Sequence, residues 1–291
     1  MKTSFLLSIF LFFLIACDNA EVVPAATYRC ELTFPDEGAE HPQAAAFWEL
    51  IDKALPYTTG IQVALTDNDG RTWTGARGFA DIANQVPLET CHRLMIASIS
   101  KVATAVLIMQ LQEEGRLSVE DPLTDWLPED LIGPLANSNE VSLRQLLNHT
   151  SGIPDYLTSR QTLNALNKPF LLETQREKLG YAYDLPATNA AGTTFSYSNT
   201  NYVLLGLVVE EALNQPLWEA VENRFKLPLG LRHFAMGTEQ NPIPADVARP
   251  YLAFTNGKFI DVTASAVADA ATGDGGIVTN LQDLNAWVTA V

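Results

Sequence analysis

The stretch from Ser98 to Glu114 leaves this chain few ways to fold. Val102, Ala103, Ala105, Val106, Leu107, Ile108, Met109 and Leu111 spread apolar side chains nearly all round a helical period, and Gly115 stands where a C′ residue ends a helix. A helix apolar on one stripe can lie on a surface, whereas one apolar all round belongs inside a protein. The spacing therefore predicts a central buried helix, opened by Ser98, with other elements packed around it. A length of 291 residues permits one large domain or two lobes and ample core.

The flanking segments supply those elements. Phe47, Leu50, Ile51 and Leu55 fall at helical spacing from Ala44 onward. Gly60 to Leu65 and Arg71 to Gly75 are alternating β-formers around Asp67-Asn68-Asp69-Gly70, which reads as a β-hairpin. Short helices are expected over Val141 to Leu147 and from Pro216 to Phe225, and a second apolar helix over Asn201 to Leu213, so residues 100 to 230 are mostly helical. Asn256-Gly257 predicts a two-residue hairpin turn with Thr255 opposite Lys258. Gly273 to Gly276 is a glycine-rich bend, and Leu281 to Ala290 has the pattern of a helix.

At the start, Lys2 precedes an apolar run from Phe5 to Ala16 that is broken only by Ser8. Its twelve residues are too few to span a membrane, which takes about 20. Leu14-Ile15-Ala16-Cys17 resembles the lipobox of bacterial lipoproteins. The expectation is a signal peptide over 1–16, lipidation at Cys17, a polar tether over 17–43 and a folded domain over 44–291, exported and anchored in the cell envelope. In that compartment Cys30 and Cys91 can form a disulfide, or pack as two buried thiols. Three cysteines and four scattered histidines show no metal-ligand spacing, so neither a metal nor another cofactor is expected. A formal charge of −16, from 34 acidic and 18 basic residues, argues against a nucleic-acid partner.

Ser98-Ile99-Ser100-Lys101 puts a hydroxyl and an amine three residues apart, on one face of a helix. An alcohol is a weak nucleophile until a neighbouring base takes its proton, and a lysine does this only where burial leaves it neutral. The helix N-terminus adds free N–H groups and a positive dipole end for an oxyanion. The same four residues also describe a serine N-cap with a lysine one turn on. Tyr197-Ser198-Asn199 offers a phenol that can relay a proton and an amide that can orient an amine. In isolation it also reads as a loop with an inward aromatic ring.

Ser98-Ile99-Ser100-Lys101, Gly115 to Pro122, Leu146 to Pro154, Tyr197-Ser198-Asn199, Pro228 to Leu231 and Gly273 to Thr279 follow one another in an order and spacing that resembles the class C β-lactamase and D-alanyl-D-alanine carboxypeptidase superfamily of serine hydrolases. The resemblance implies an α/β, β-lactamase/transpeptidase-like fold: an antiparallel sheet flanked by helices, a mostly helical lobe, and a cleft between them. It implies Ser98 as the acylated nucleophile, Lys101 as its activating partner, Tyr197 as general base and acid, and Asn199 as a contact for substrate and Lys101. The substrate would be a peptide, β-lactam or ester carbonyl, and His149 is read as structural. The class A pattern pairs S-x-x-K with S-D-N, and this chain has no S-D-N.

The superfamily's third motif, K-T-G or H-x-G on a cleft-lining strand, has no counterpart after Asn199. Lys226 is followed by Leu-Pro, Lys258 by Phe-Ile and His233 by Phe-Ala. The expectation is the N-terminal part of a longer protein. Two rival readings accompany it: a catalytically silent, lipid-anchored binding protein, and an inactive fragment.

Overall fold

The computed structural model describes residues 41–168, 171, 173–237, 246–253, 258–263, 266 and 272–291. The expected signal peptide, Cys17 and Cys30 lie outside these residues. Helix α1 (Ala44–Ala54) lays Phe47 and Trp48 against Trp73, with ring centroids 5.1 and 5.0 Å apart. Trp73 is fully buried in strand β2 (Thr72–Asp81), which pairs antiparallel with β1 (Gly60–Thr66) from Gly60↔Gly78 to Thr66↔Thr72. The expected hairpin is there. Its loop is closed by Asp67, whose carboxylate accepts the N–H groups of Asp69 and Arg71, each at 2.9 Å. Strand β3 (Val86–Pro87) lies on the other edge of β2.

A second sheet has the order β4-β8-β5, built from Leu94–Met95, Ile277–Thr279 and Ala235–Met236, with both pairings antiparallel. Its middle strand β8 is buried along its whole length and returns from far along the chain to lie beside the residues that precede Ser98. A separate two-stranded hairpin joins β6 (Tyr251–Ala253) to β7 (Phe259–Asp261) with Ala253 opposite Phe259. The expected Asn256-Gly257 turn, with Thr255 opposite Lys258, rests on residues outside those described.

The rest is helical: α2 (Ser100–Glu113), α3 (Glu129–Ile132), α4 (Leu143–Leu147), α5 (Ser159–Asn167), α6 (Gln175–Leu179), α7 (Asn199–Leu213), α8 (Leu217–Val221), α9 (Leu227–Leu229) and α10 (Leu281–Ala290). No helix among the described residues is long and apolar enough to cross a membrane. Helices α2 and α7 pack on each other and form the centre of the core, with Leu107, Ile108, Leu111, Val203, Leu204 and Val208 fully buried. Gly115 ends α2 with φ +69°: its N–H bonds Gln112 and the next N–H, of Arg116, bonds Leu111, the paired pattern of a left-handed helix stop.

Two expectations about α2 need correction. The helix begins at Ser100, and Ser98 sits in a 3₁₀ turn over Ala97–Ile99 just before it. The helix is also not enclosed all round, because Ile99, Val102 and Met109 remain 52%, 47% and 43% exposed on one stripe. The other faces are taken by α7, α8 and the glycine bend, and no described element covers this one.

Candidate active site

Ala97 has φ +45°, a left-handed conformation that costs an L-residue energy and that sharp turns before functional residues sometimes hold. Strand β8 holds the turn from two sides. Ile96 donates to the Ile277 carbonyl at 3.0 Å, and the Ile277 N–H donates to Ser100 Oγ at 3.1 Å. Ser98 is thereby pinned while its side chain stays exposed. Its N–H belongs to the first helical turn, where N–H groups have no intrahelical acceptor, and suits an oxyanion.

Beneath Ser98 lies Lys101, only 6% exposed. Its Nζ meets three oxygens: Ser98 Oγ at 3.0 Å, Asn199 Oδ1 at 2.8 Å and the Asp274 carbonyl at 2.7 Å. The Asn199 and Asp274 oxygens can only accept, whereas the Ser98 hydroxyl can accept from the Lys101 amine or donate to it. Tyr197 also reaches Ser98, its hydroxyl 3.1 Å from Ser98 Oγ, with Lys101 Nζ 5.2 Å from its ring centroid. The structure thus brings all four sequence-derived residues, Ser98, Lys101, Tyr197 and Asn199, to one point.

Three further groups hold this arrangement. Asp155 accepts from Asn199 Nδ2 at 2.9 Å and from the Asn199 N–H at 3.3 Å, so the amide can present only its oxygen to Lys101. Asp274 supplies the carbonyl for Lys101, and its buried carboxylate accepts from Tyr156 Oη at 2.8 Å. The residue before it, Gly273, accepts from Thr104 Oγ1 at 2.6 Å, which ties the glycine bend to α2. Neither aspartate was expected. Asp155 directly follows the Leu146 to Pro154 string, and Asp274 stands inside the quoted Gly273 to Thr279, but neither position carried a chemical role.

His149 lies against Tyr197, with centroids 4.5 Å apart and planes 30° from parallel, and its Nδ1 accepts the Ser198 N–H at 3.2 Å. Burial, together with the nearby Lys101 charge, pushes its pKa below the ordinary histidine range, although Asp155 pulls the other way. Among the described residues, Glu89, Cys91 and His92 bring potential metal ligands within 4.8 Å of one another. Cys91, however, is disulfide-bonded, and such a sulfur has no thiolate to offer a metal. Both other cysteines of the chain lie outside the described residues.

An exposed hydroxyl with a buried lysine under it, a phenol beside it and free N–H groups at a helix start is an arrangement that could serve a serine nucleophile. The Beta-lactamase family model matches residues 51–291. Protein flp of Staphylococcus aureus (strain COL) is 30% identical over 174 residues, covering 60% of this chain and 34% of that protein. The chain thus spans about a third of the length of the curated relatives it matches. Among solved structures, a D-stereospecific amidohydrolase from Streptomyces sp. superposes with a TM-score of 0.73 at 29% identity, covering 84% of this chain and 72% of the other. A penicillin-binding protein from Bacillus halodurans gives 0.67 at 26% identity, with 82% and 71% covered. The fold is the β-lactamase/transpeptidase-like one that the sequence resemblance implied.

Proposed function

Because the chain belongs to the Beta-lactamase family, we propose that it hydrolyses an amide, lactam or ester through an acyl-enzyme on Ser98. The observation that carries this reading is the position of Ser98 Oγ, 3.0 Å from Lys101 Nζ and 3.1 Å from Tyr197 Oη, where the phenol comes from 99 residues along the chain. At 3.1 Å either hydroxyl can donate to the other. With the Ser98 O–H turned toward Tyr197, Ser98 Oγ attacks the carbonyl carbon and its proton passes to the Tyr197 oxygen as Tyr197 gives its own proton to the leaving amine or alcohol. Charge that develops on the carbonyl oxygen meets the Ser98 N–H, while the Lys101 ammonium stabilises negative charge on the reacting oxygens. Water then attacks the ester, and the same relay, run in reverse, returns the proton to Ser98.

The favoured substrates are a peptidoglycan-type peptide or a β-lactam. Support comes from the penicillin-binding protein and the D-stereospecific amidohydrolase among the similar structures. The test is intact-mass measurement after incubation with a fluorescent penicillin and with a reactive phosphonate. The expected result is a mass increase of one adduct on the wild type that is missing from Ser98→Ala. A protein that melts cooperatively yet takes up neither reagent would point to a binding role instead.

A further inference from the structure

His149 has a left-handed backbone, φ +59°, and lies buried between Tyr197 and Tyr202, with ring centroids 4.5 and 5.2 Å away. What faces its Nδ1 can be read from a one-way chain of hydrogen bonds. The Ile153 N–H donates to Ser151 Oγ at 3.1 Å, and that hydroxyl donates to Asn201 Oδ1 at 2.7 Å. The Asn201 oxygen is therefore spoken for, and its NH₂ is the end 3.3 Å from His149 Nδ1. The Ser198 N–H donates to the same nitrogen at 3.2 Å. Two donors converge on Nδ1, so it has to be bare, and in the neutral ring the proton sits on Nε2.

The consequence follows from which backbone N–H is held. Ser198 lies between Tyr197, which touches Ser98 Oγ, and Asn199, which touches Lys101 Nζ. We propose that His149 is a positioning residue of the acylation site: its bare Nδ1 fixes the Ser198 N–H and so sets Tyr197 and Asn199 on either side of it, and protonation of that nitrogen releases them. This rests on the reading of Ser98 as the nucleophile. A protonated Nδ1 would aim an N–H at two other N–H donors.

The titratable groups facing the ring are Lys101 from α2, Asp155 from the loop after α4, and the phenols of Tyr197 and Tyr202. Lys101 opposes a second positive charge and Asp155 favours it. Burial and Lys101 keep the nitrogen bare at neutral pH, and the acid limb of activity falls below the ordinary histidine range.

The experiment is a pH titration of the full chain from about pH 4 to 8, reading the limiting rate and half-saturation of Ser98 acylation by a fluorescent penicillin. In parallel, ¹⁵N shifts report the His149 ring and hydrogen exchange reports the Ser198 amide. His149→Phe keeps an aromatic ring and removes the acceptor. His149→Asn keeps an acceptor near the Nδ1 position, has no proton to gain in this range, and tolerates a left-handed φ.

In the wild type, acylation should fall and Ser198 exchange should quicken in step with protonation of His149. His149→Phe should lower the limiting rate by about 10- to 100-fold with little change in half-saturation. His149→Asn should restore most of the rate and lose the acid limb. A wild-type rate that stays flat while His149 titrates would overturn the assignment, as would a His149→Phe chain with the full limiting rate. If no acyl donor labels the wild type, the hydrolase reading fails by itself. Ser198 exchange then decides: tracking the His149 titration supports the hold, and indifference to it refutes the hold.

Discussion

Asp155 accepts two hydrogen bonds from a single residue, one from the Asn199 main chain and one from its amide. Without that carboxylate, the Asn199 carboxamide is free to turn its NH₂ toward the Lys101 ammonium, a repulsive contact. Asp155→Ala is therefore expected to lower the limiting acylation rate by about 10- to 100-fold with a smaller effect on half-saturation, as measured by time-resolved intact mass. Ser98, Lys101, Tyr197 and Asn199 were legible because their types and spacing carry the signal. Asp155 was not, since a carboxylate after Ile153-Pro154 looks like any surface acid until the fold brings Asn199 to it. Asp274 acts on Lys101 through its backbone carbonyl, a group that every residue possesses. Ala97 holds a left-handed φ that its own side chain disfavours, so local propensity pointed away from the turn that Ser98 needs.

Between elements, α7 meets the glycine bend where Gly206 and Gly273 bring their backbones together. A Cβ added to Gly273 would sit 2.2 Å from the Tyr202 carbonyl oxygen and 2.9 Å from Gly206 Cα, both main-chain atoms that cannot swing aside. Gly273→Ala is expected to cost more than about 3 kcal/mol, by strain and repacking. At roughly 2 to 4 °C per kcal/mol for a domain of this size, the melting temperature should fall by about 6 to 12 °C. Calorimetry checks this, and a melt unchanged from wild type would refute the close approach. The long helices and the first hairpin were readable because each runs through several periods of its pattern. Strands β4, β5 and β8 are two or three residues long, too short for an alternation to register, and they exist because β8 returns from a distant part of the chain.

Across the whole molecule, Arg249 fastens the β6–β7 hairpin to the first sheet. Its Nε donates to Asp81 Oδ2 at 2.7 Å and its Nη1 to Asp261 Oδ2 at 2.8 Å, and the Asp81 side chain is fully buried. Arg249→Ala leaves that carboxylate without its guanidinium, which in buried pairs costs about 3 to 5 kcal/mol. Burial, the largest single influence on Asp81, pushes its pKa up, but hydrogen bonds from Asn84 and Arg249 and the Arg249 charge together bring it below the ordinary value. A lowered folded-state value means that this stabilisation is present above the usual aspartate range and is lost as pH falls through the folded value. In Arg249→Ala the acid-unfolding midpoint should move to higher pH, and identical acid titrations by circular dichroism would count against the latch. The Lys101 hydrogen bonds to Asn199 and Asp274 close loops of 98 and 173 residues. Contacts of such sequence separation form late in a refolding chain, after helices and hairpins are in place. A covalent label at Ser98 would thus also serve as a folding clock: in a refolding experiment quenched at successive times, it would mark the moment when α2, the helical lobe and the returning strand have all met.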